Sequence, residues 1–206
     1  MPALRRLYAL LDLAAAALAW MLGLRYGRRV WLRGGAATRA GVLAAVARLA
    51  AEPEVAALDL FLSLHGLPGH LTFADGLFTT AGLAPALRDA GQGKLRLAYS
   101  SACHGESHGA DLLRGGFAAV VGAARINATG ATEFGLFLLL WAAGVRVRRA
   151  LSVADHPALR RPSDALAGVL LSALGERGEV DSRKAVLGEE GVSIGRHPGA
   201  RSDLAR

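Results

Sequence analysis

A chain of 206 residues, 52% hydrophobic and 6% aromatic, is long enough for one domain with a sizeable core and too apolar for disorder over most of its length. Its net charge of +7 arises in residues 1–50, where eight arginines face one acid, Asp12; the remaining residues hold 16 basic and 16 acidic side chains. A nucleic-acid groove needs positive charge spread over a folded face, so the balanced body argues against a nucleic-acid partner, and a single cysteine, Cys103, excludes an internal disulfide.

The chain opens with "LYALLDLAAAALAWMLGL", Leu7 to Leu24, eighteen residues with one charge. A spanning helix needs about 20 apolar residues, and a carboxylate at its centre costs about 2.5–3.5 kcal/mol. Insertion is therefore marginal, eased by the place of Asp12 near one end. Three readings fit. One is a membrane anchor or a helix lying in the interface. Another is a signal peptide, although no small-x-small cleavage site follows. The third is a core helix, served by an i, i+3/i+4 stripe of Leu4, Leu7, Leu11, Ala15, Leu18 and Leu22. Residues 1–27 are read as an apolar N-terminal helix and candidate membrane anchor. Arg25, Arg28, Arg29 and Arg33 outnumber Arg5 and Arg6, which for an anchor leaves the body in the cytoplasm.

"RRVWLR" (Arg28 to Arg33) reads as a short strand, broken by Gly34-Gly35. Ala37 to Glu52 is helical, with Val42, Val46 and Leu49 at helical spacing, Thr38 as N-cap and Pro53 as stop. Val55 to Leu64 is almost continuously apolar and reads as a strand buried on both faces. Strand, helix, strand makes a βαβ unit and a parallel sheet. "GLPGHLTFADG" is turn-rich, with a small hairpin around Leu71–Phe73 and Asp75-Gly76 as its turn. A helix follows from Thr79 or Thr80 to Gly91, then a strand from Lys94 to Ser101. A helix begins near Ser107 and ends at Gly115-Gly116, and Phe117 to Ala123 is another buried strand. Thr132 to Ala143 is a core helix with Gly144 as its C′ residue, and a second helix ends before Pro157. Ser163 to Gly175 is a capped helix, and Lys184 to Arg196 reads as a hairpin across Gly188–Gly191. The expected domains are residues 1–27, an α/β core over 28–157, and a C-terminal helix, hairpin and tail over 158–206.

Two of these strands end in chemistry. Parallel α/β sheets bind ligands outside the carboxyl ends of their strands. Val55 to Leu64 runs into His65-Gly66, and Lys94 to Ser101 runs into Ala102-Cys103. Neighbouring strand tips lie about 5 Å apart, so His65 and Cys103 can face each other across one rim. A free thiol titrates near about 8.5, and the thiolate is the attacking species. An adjacent imidazole raises its fraction and later supplies a proton to the leaving group. The backbone N–H groups of Gly66 and Cys103 are candidates for an oxyanion hole. The helix starting near Ser107 aims the positive end of its dipole at the thiol.

A hydrophobic strand ending His-Gly, followed by one ending Ala-Cys or Ser-Cys, resembles the signature of caspase-like cysteine peptidases. That group spans caspases, metacaspases, legumains, gingipains, separases and CHAT domains. "FLSLHG" and "AYSSACHG" match in type, order and spacing. "LTFADGLFTTAGLAPALRDAG" looks like the display-loop-and-helix segment of CHAT and metacaspase members, and "GGFAAVVGA" resembles the strand after the cysteine helix. The resemblance covers roughly residues 28–155. It implies a three-layer α/β/α sandwich with a mainly parallel sheet, and hydrolysis of a peptide or protein substrate without a cofactor. In it His65 is the general base or acid, Cys103 the nucleophile, and Gly66 an oxyanion contributor. Metacaspases place an Asp two residues before the cysteine; Ser101 stands there, so a basic P1 preference is not implied. The caspase Gln-Ala-Cys-Arg-Gly is absent, so neither is an Asp preference. Ser101, Glu106 and Asp111 are the candidate pocket residues, although a solvated helix start accounts for the two acids.

Other readings remain. Taken alone, Cys103 is a small core residue and His65 a backbone-bonded loop histidine. Cys103, His104, His108 and His65 form a potential zinc set, weakened by Gly105 and Gly109 in the helix that would carry it. "LHGLPG" with Ser101–Gly105 makes an imperfect nucleophile elbow for an α/β-hydrolase, which would draw on Asp155 and His156. A non-catalytic caspase-like scaffold at a membrane is the non-enzyme alternative.

Overall fold

The computed structural model describes residues 25–128, 133–173, 175 and 178–195. The predicted apolar helix over Leu7–Leu24 lies outside these residues; among those described, no helix is long and apolar enough to cross a membrane. The chain is α/β, with a mixed, mostly parallel sheet.

Helix α1 (Arg39–Ala50) starts as predicted, with Thr38 Oγ1 accepting from the Gly41 N–H at 2.9 Å. Strand β1 (Leu58–Leu62) follows. Three short strands, β2 (His65–Leu67), β3 (His70–Phe73) and β4 (Gly76–Thr79), form an antiparallel sheet of their own. Thr79 caps α2 (Thr80–Gly91), accepting from the Gly82 N–H at 3.1 Å. Then come β5 (Leu95–Ser100), α3 (Gly105–Arg114) and β6 (Ala119–Ala123). Helices α4 (Glu133–Ala142), α5 (Val147–Ala154) and α6 (Pro157–Ala173) lead to β7 (Lys184–Gly188).

Among the described residues the main sheet has the order β1-β5-β6-β7; the first three strands are parallel and β7 runs against β6. Its side chains alternate between two apolar clusters, as a pleated strand requires. Leu58, Leu62, Ala98 and Val120 pack with α1, α2 and α3. Leu97, Tyr99, Ala119 and Val121 pack with α4 and α5.

Four expectations are corrected. Arg28–Arg33 is not a strand: it joins no β-ladder among the described residues, and Arg28 turns outward to pair with Glu52 at 2.7 Å. Among the described residues the first βαβ unit is therefore absent and β1 is an edge strand, flanked by a cavity of about 940 Å³ lined in part by Arg28–Arg33. The hairpin expected around Leu71–Phe73 is present as β3 and β4, but the turn-rich segment adds a further strand, β2, and His65 itself sits on it. The helix expected from Ser163 begins at Pro157, whose missing N–H costs nothing in a first turn, and Pro162 rides inside it. The hairpin expected over 184–196 has one arm, because β7 finds its partner in β6 rather than in the residues after Gly188. The sheet thus draws strands from both the 28–157 and the 158–206 stretches.

At the far end of the sheet from the predicted chemistry, β5 carries one extra residue relative to β1, Arg96, between Leu95 and Leu97. The bulge aims Arg96 at Asp59, and both side chains are buried. Arg96 Nε and Nη2 each donate to the Asp59 carboxylate at 2.8 Å. The Tyr26 hydroxyl and Trp141 Nε1 (3.2 Å) also donate to Asp59, and Arg96 Nη1 donates to the Ile194 carbonyl. Burial works against the Arg96 charge, but Asp59 overrides it and the guanidinium pKa ends above its ordinary value. Burial and Asp59 together push the Tyr26 hydroxyl pKa up.

Candidate active site

The tips of β1 and β5 are held level. Leu62 pairs with Ser100, and one residue further the Ser101 N–H donates to the Leu62 carbonyl at 2.9 Å. Ser101 Oγ donates to the same carbonyl at 3.1 Å. Ser101, predicted as a pocket residue, thus spends its hydroxyl on joining the two strands.

Beyond Leu62 the chain turns into β2, and Gly66 lies directly against the Cys103 turn. A Cβ at Gly66 would overlap the Cys103 carbonyl oxygen and sit 3.0 Å from Ala102 Cβ and 3.1 Å from His108 Cε1. The sequence made the N–H of this glycine an oxyanion-hole candidate; the close approach found is to the cysteine backbone. It seats the β2 backbone, one residue after His65, against the Cys103 turn. His65 is exposed and Cys103 is a half-buried free thiol. Among the described residues no hydrogen bond joins them, and the Cys103 N–H has no acceptor.

The turn that follows is tight. His104 takes a left-handed conformation (φ 57°), and its N–H donates to the Arg125 carbonyl at 2.8 Å. This lets α3 start at Gly105, two residues before the expected Ser107, with its N-terminal dipole end beside Cys103. The start is possible because glycine meets glycine: a Cβ on Gly105 would lie 2.8 Å from Gly122 Cα, and one on Gly122 would overlap the Gly105 carbonyl.

Sequence reasoning missed the use of His108. It is fully buried on α3, and its Nε2–H donates to the Leu67 carbonyl of β2 at 2.9 Å. Nδ1 is left a buried acceptor without a partner among the described residues. Burial, with the charge of His104 adding to it, outweighs the pull of the Leu67 carbonyl and lowers the His108 pKa. The Gly69 N–H donates to Ser107 Oγ at 3.0 Å, so α3 holds both β2 and the turn that follows it. The i, i+4 spacing of His104 and His108 had suggested metal; among the described residues no group of three or more His, Cys, Asp or Glu side chains is arranged to hold an ion. Asp111 bonds Thr80 Oγ1 and Arg114, while Glu106 is exposed in the first turn of α3. The 940 Å³ cavity reaches His65 but not Cys103, Ser101, Glu106 or Asp111.

On the other flank of Cys103 a buried polar chain was also missed. Asn127 Nδ2 donates to the Ser101 carbonyl at 2.8 Å, and Lys184 Nζ donates to Asn127 Oδ1 at 3.3 Å. Lys184 pairs with Glu133 at 2.7 Å, both side chains almost wholly buried, and the Tyr99 hydroxyl donates to Glu133. Burial first and Glu133 second hold the Tyr99 pKa well above its usual value. The signal in the sequence was a lone Glu heading the apolar run "FGLFLLLWA" and a lone Lys heading "AVLG".

The elbow reading gains nothing here. The left-handed residue is His104 rather than Cys103; Asp155 pairs with Arg160 at 2.9 Å, and the exposed His156 accepts from the Ala158 N–H at 3.3 Å. Comparison of the chain with protein-family models, with curated proteins and with solved structures finds no match in any of the three.

Proposed function

We propose that this chain is a caspase-like cysteine hydrolase, built as a three-layer α/β/α sandwich and acting on a peptide or protein acyl bond. The observation that carries the reading is Gly66 seated on the Cys103 backbone, with the two parallel strand tips level behind it. In the proposed reaction the Cys103 thiol gives its proton to His65 and its sulfur adds to the substrate carbonyl carbon. The Cys103 N–H, unengaged among the described residues, donates to the resulting oxyanion, with the Gly66 N–H as second donor. Collapse returns the proton from His65 to the leaving amine and leaves a thioester. Water, deprotonated by His65, then adds to the thioester carbonyl; the thiolate leaves, and the proton returns to it. Association with a membrane through residues 7–24, with the body on the cytoplasmic side, belongs to the same proposal and rests on the apolar run and the arginines after it.

One observation favours a second reading, a caspase-like scaffold without turnover: among the described residues no hydrogen bond joins His65 to Cys103. Such bonds are often loose before substrate binds. Iodoacetamide alkylation of Cys103 at pH 7 separates the two. An activated thiol reacts about tenfold or more faster than glutathione and loses that excess in His65→Ala. A rate equal to glutathione, unchanged in His65→Ala, rejects the hydrolase reading.

A further inference from the structure

Among the described residues, the amide of Asn127 bridges the buried Lys184–Glu133 pair and the segment that carries Cys103. Its orientation is fixed by chemistry. The Ser101 carbonyl can only accept and the Lys184 ammonium can only donate, so Nδ2 must face the first and Oδ1 the second. Lys184 is itself immobilised: its ammonium is held by Glu133, and its backbone N–H donates to Asp155 at 3.1 Å. Next to Asn127, the Ala128 N–H donates to Ser182 Oγ at 2.6 Å, which fixes the loop to the residues before β7. The Ser101 peptide is therefore gripped from both sides, by Leu62 on the β1 side and by Asn127 on the β6 side, two residues before the thiol.

We propose that Asn127 is a positioning residue, held by the Lys184–Glu133 pair, that sets Cys103 in reach of His65. This rests on the hydrolase reading. Asp is the diagnostic replacement because it keeps the shape and the bond to Lys184 but cannot donate. It sets a carboxylate oxygen against the Ser101 carbonyl, and the strand tip must shift. A shift of about 1 Å at a reacting group can cost up to about a hundredfold.

The test is iodoacetamide alkylation at pH 7 of the full chain, for the wild type, Asn127→Asp, His65→Ala and the double variant, with folding checked by thermal unfolding. The expected result is that Asn127→Asp slows alkylation about tenfold and has no further effect once His65 is gone. A role confined to stability would not give that non-additivity. Should Asn127→Asp fail to fold, Glu133→Gln/Lys184→Met carries the test, since it removes both charges together while the new side-chain amide can still accept from Tyr99. It is expected to slow alkylation in the same His65-dependent way. If His65→Ala slows the wild type but the Asn127 variant, or its substitute, keeps the wild-type rate or acts equally without His65, the positioning role is overturned and the hydrolase reading stands. If His65→Ala changes nothing in the wild type, both fall.

Discussion

Gly66 lies so close to the Cys103 backbone carbonyl that no Cβ fits between them. Alanine at position 66 would drive its methyl into the Cys103 carbonyl, and either β2 or the cysteine turn would have to give way. Overpacking of this kind costs about 1–3 kcal/mol. Gly66→Ala should therefore lower the urea midpoint and bring the alkylation rate of Cys103 down toward that of His65→Ala. An alanine variant as stable and as reactive as the wild type would mean that the contact does not set the site. The residues themselves were legible, since His-Gly and Ala-Cys stood out at the ends of apolar runs. Their second partners were not. Ser101, Asp111 and His108 are polar residues that each bond a group distant in the chain, Leu62, Thr80 and Leu67 respectively. No local pattern encodes such a pairing.

At the level of elements, α3 acts as a clasp on β2, and the His108 imidazole is its inner catch. The neutral ring is the form the buried site favours, because burial outweighs the pull of the Leu67 and His70 backbone and of Asp111 on a charged ring. Its native pKa lies below the ordinary value of about 6.5, so the unfolded chain takes up the proton first. His108 therefore supports the fold fully above that ordinary value, and its contribution shrinks as the pH falls from there toward the lowered native value. The stability gap between the wild type and His108→Gln should narrow between pH 7 and pH 5, measured by urea unfolding; a constant gap would show that the ring does not titrate with folding. Elements with a strong period and a cap were read from the sequence nearly to the residue, as at Thr38 and Thr79. Those decided by a distant partner were not. Arg28–Arg33 reads like a short strand but joins no ladder among the described residues, β2 is three residues long and has no period to detect, and β7 chose β6 over its own neighbour.

Across the whole molecule, charge is segregated. The excess of positive side chains belongs to the residues around the apolar run and just after it, among them Arg25, Arg28 and Arg33, which are exposed near an exposed Trp31. An anionic leaflet attracts such a segment once an apolar stretch has anchored it. The full chain is expected in the membrane pellet of fractionated cells, and a version without residues 1–24 in the supernatant. A full chain that stays in the supernatant without detergent would remove the membrane from the proposal. Two core clusters, one on each face, explain why α/β organisation was readable in outline, while the sheet's order depended on pairings the sequence does not state.

Asp59 and Arg96 have a consequence of another kind. Tyr26 and Ile194 come from opposite extremes of the described chain, yet both bond to this one pair. The described chain is thus knitted almost into a ring, with its buckle at the end of the sheet away from the thiol. Trimming past Tyr26 from one direction, or past Ile194 from the other, would strip a ligand from the same shielded ions.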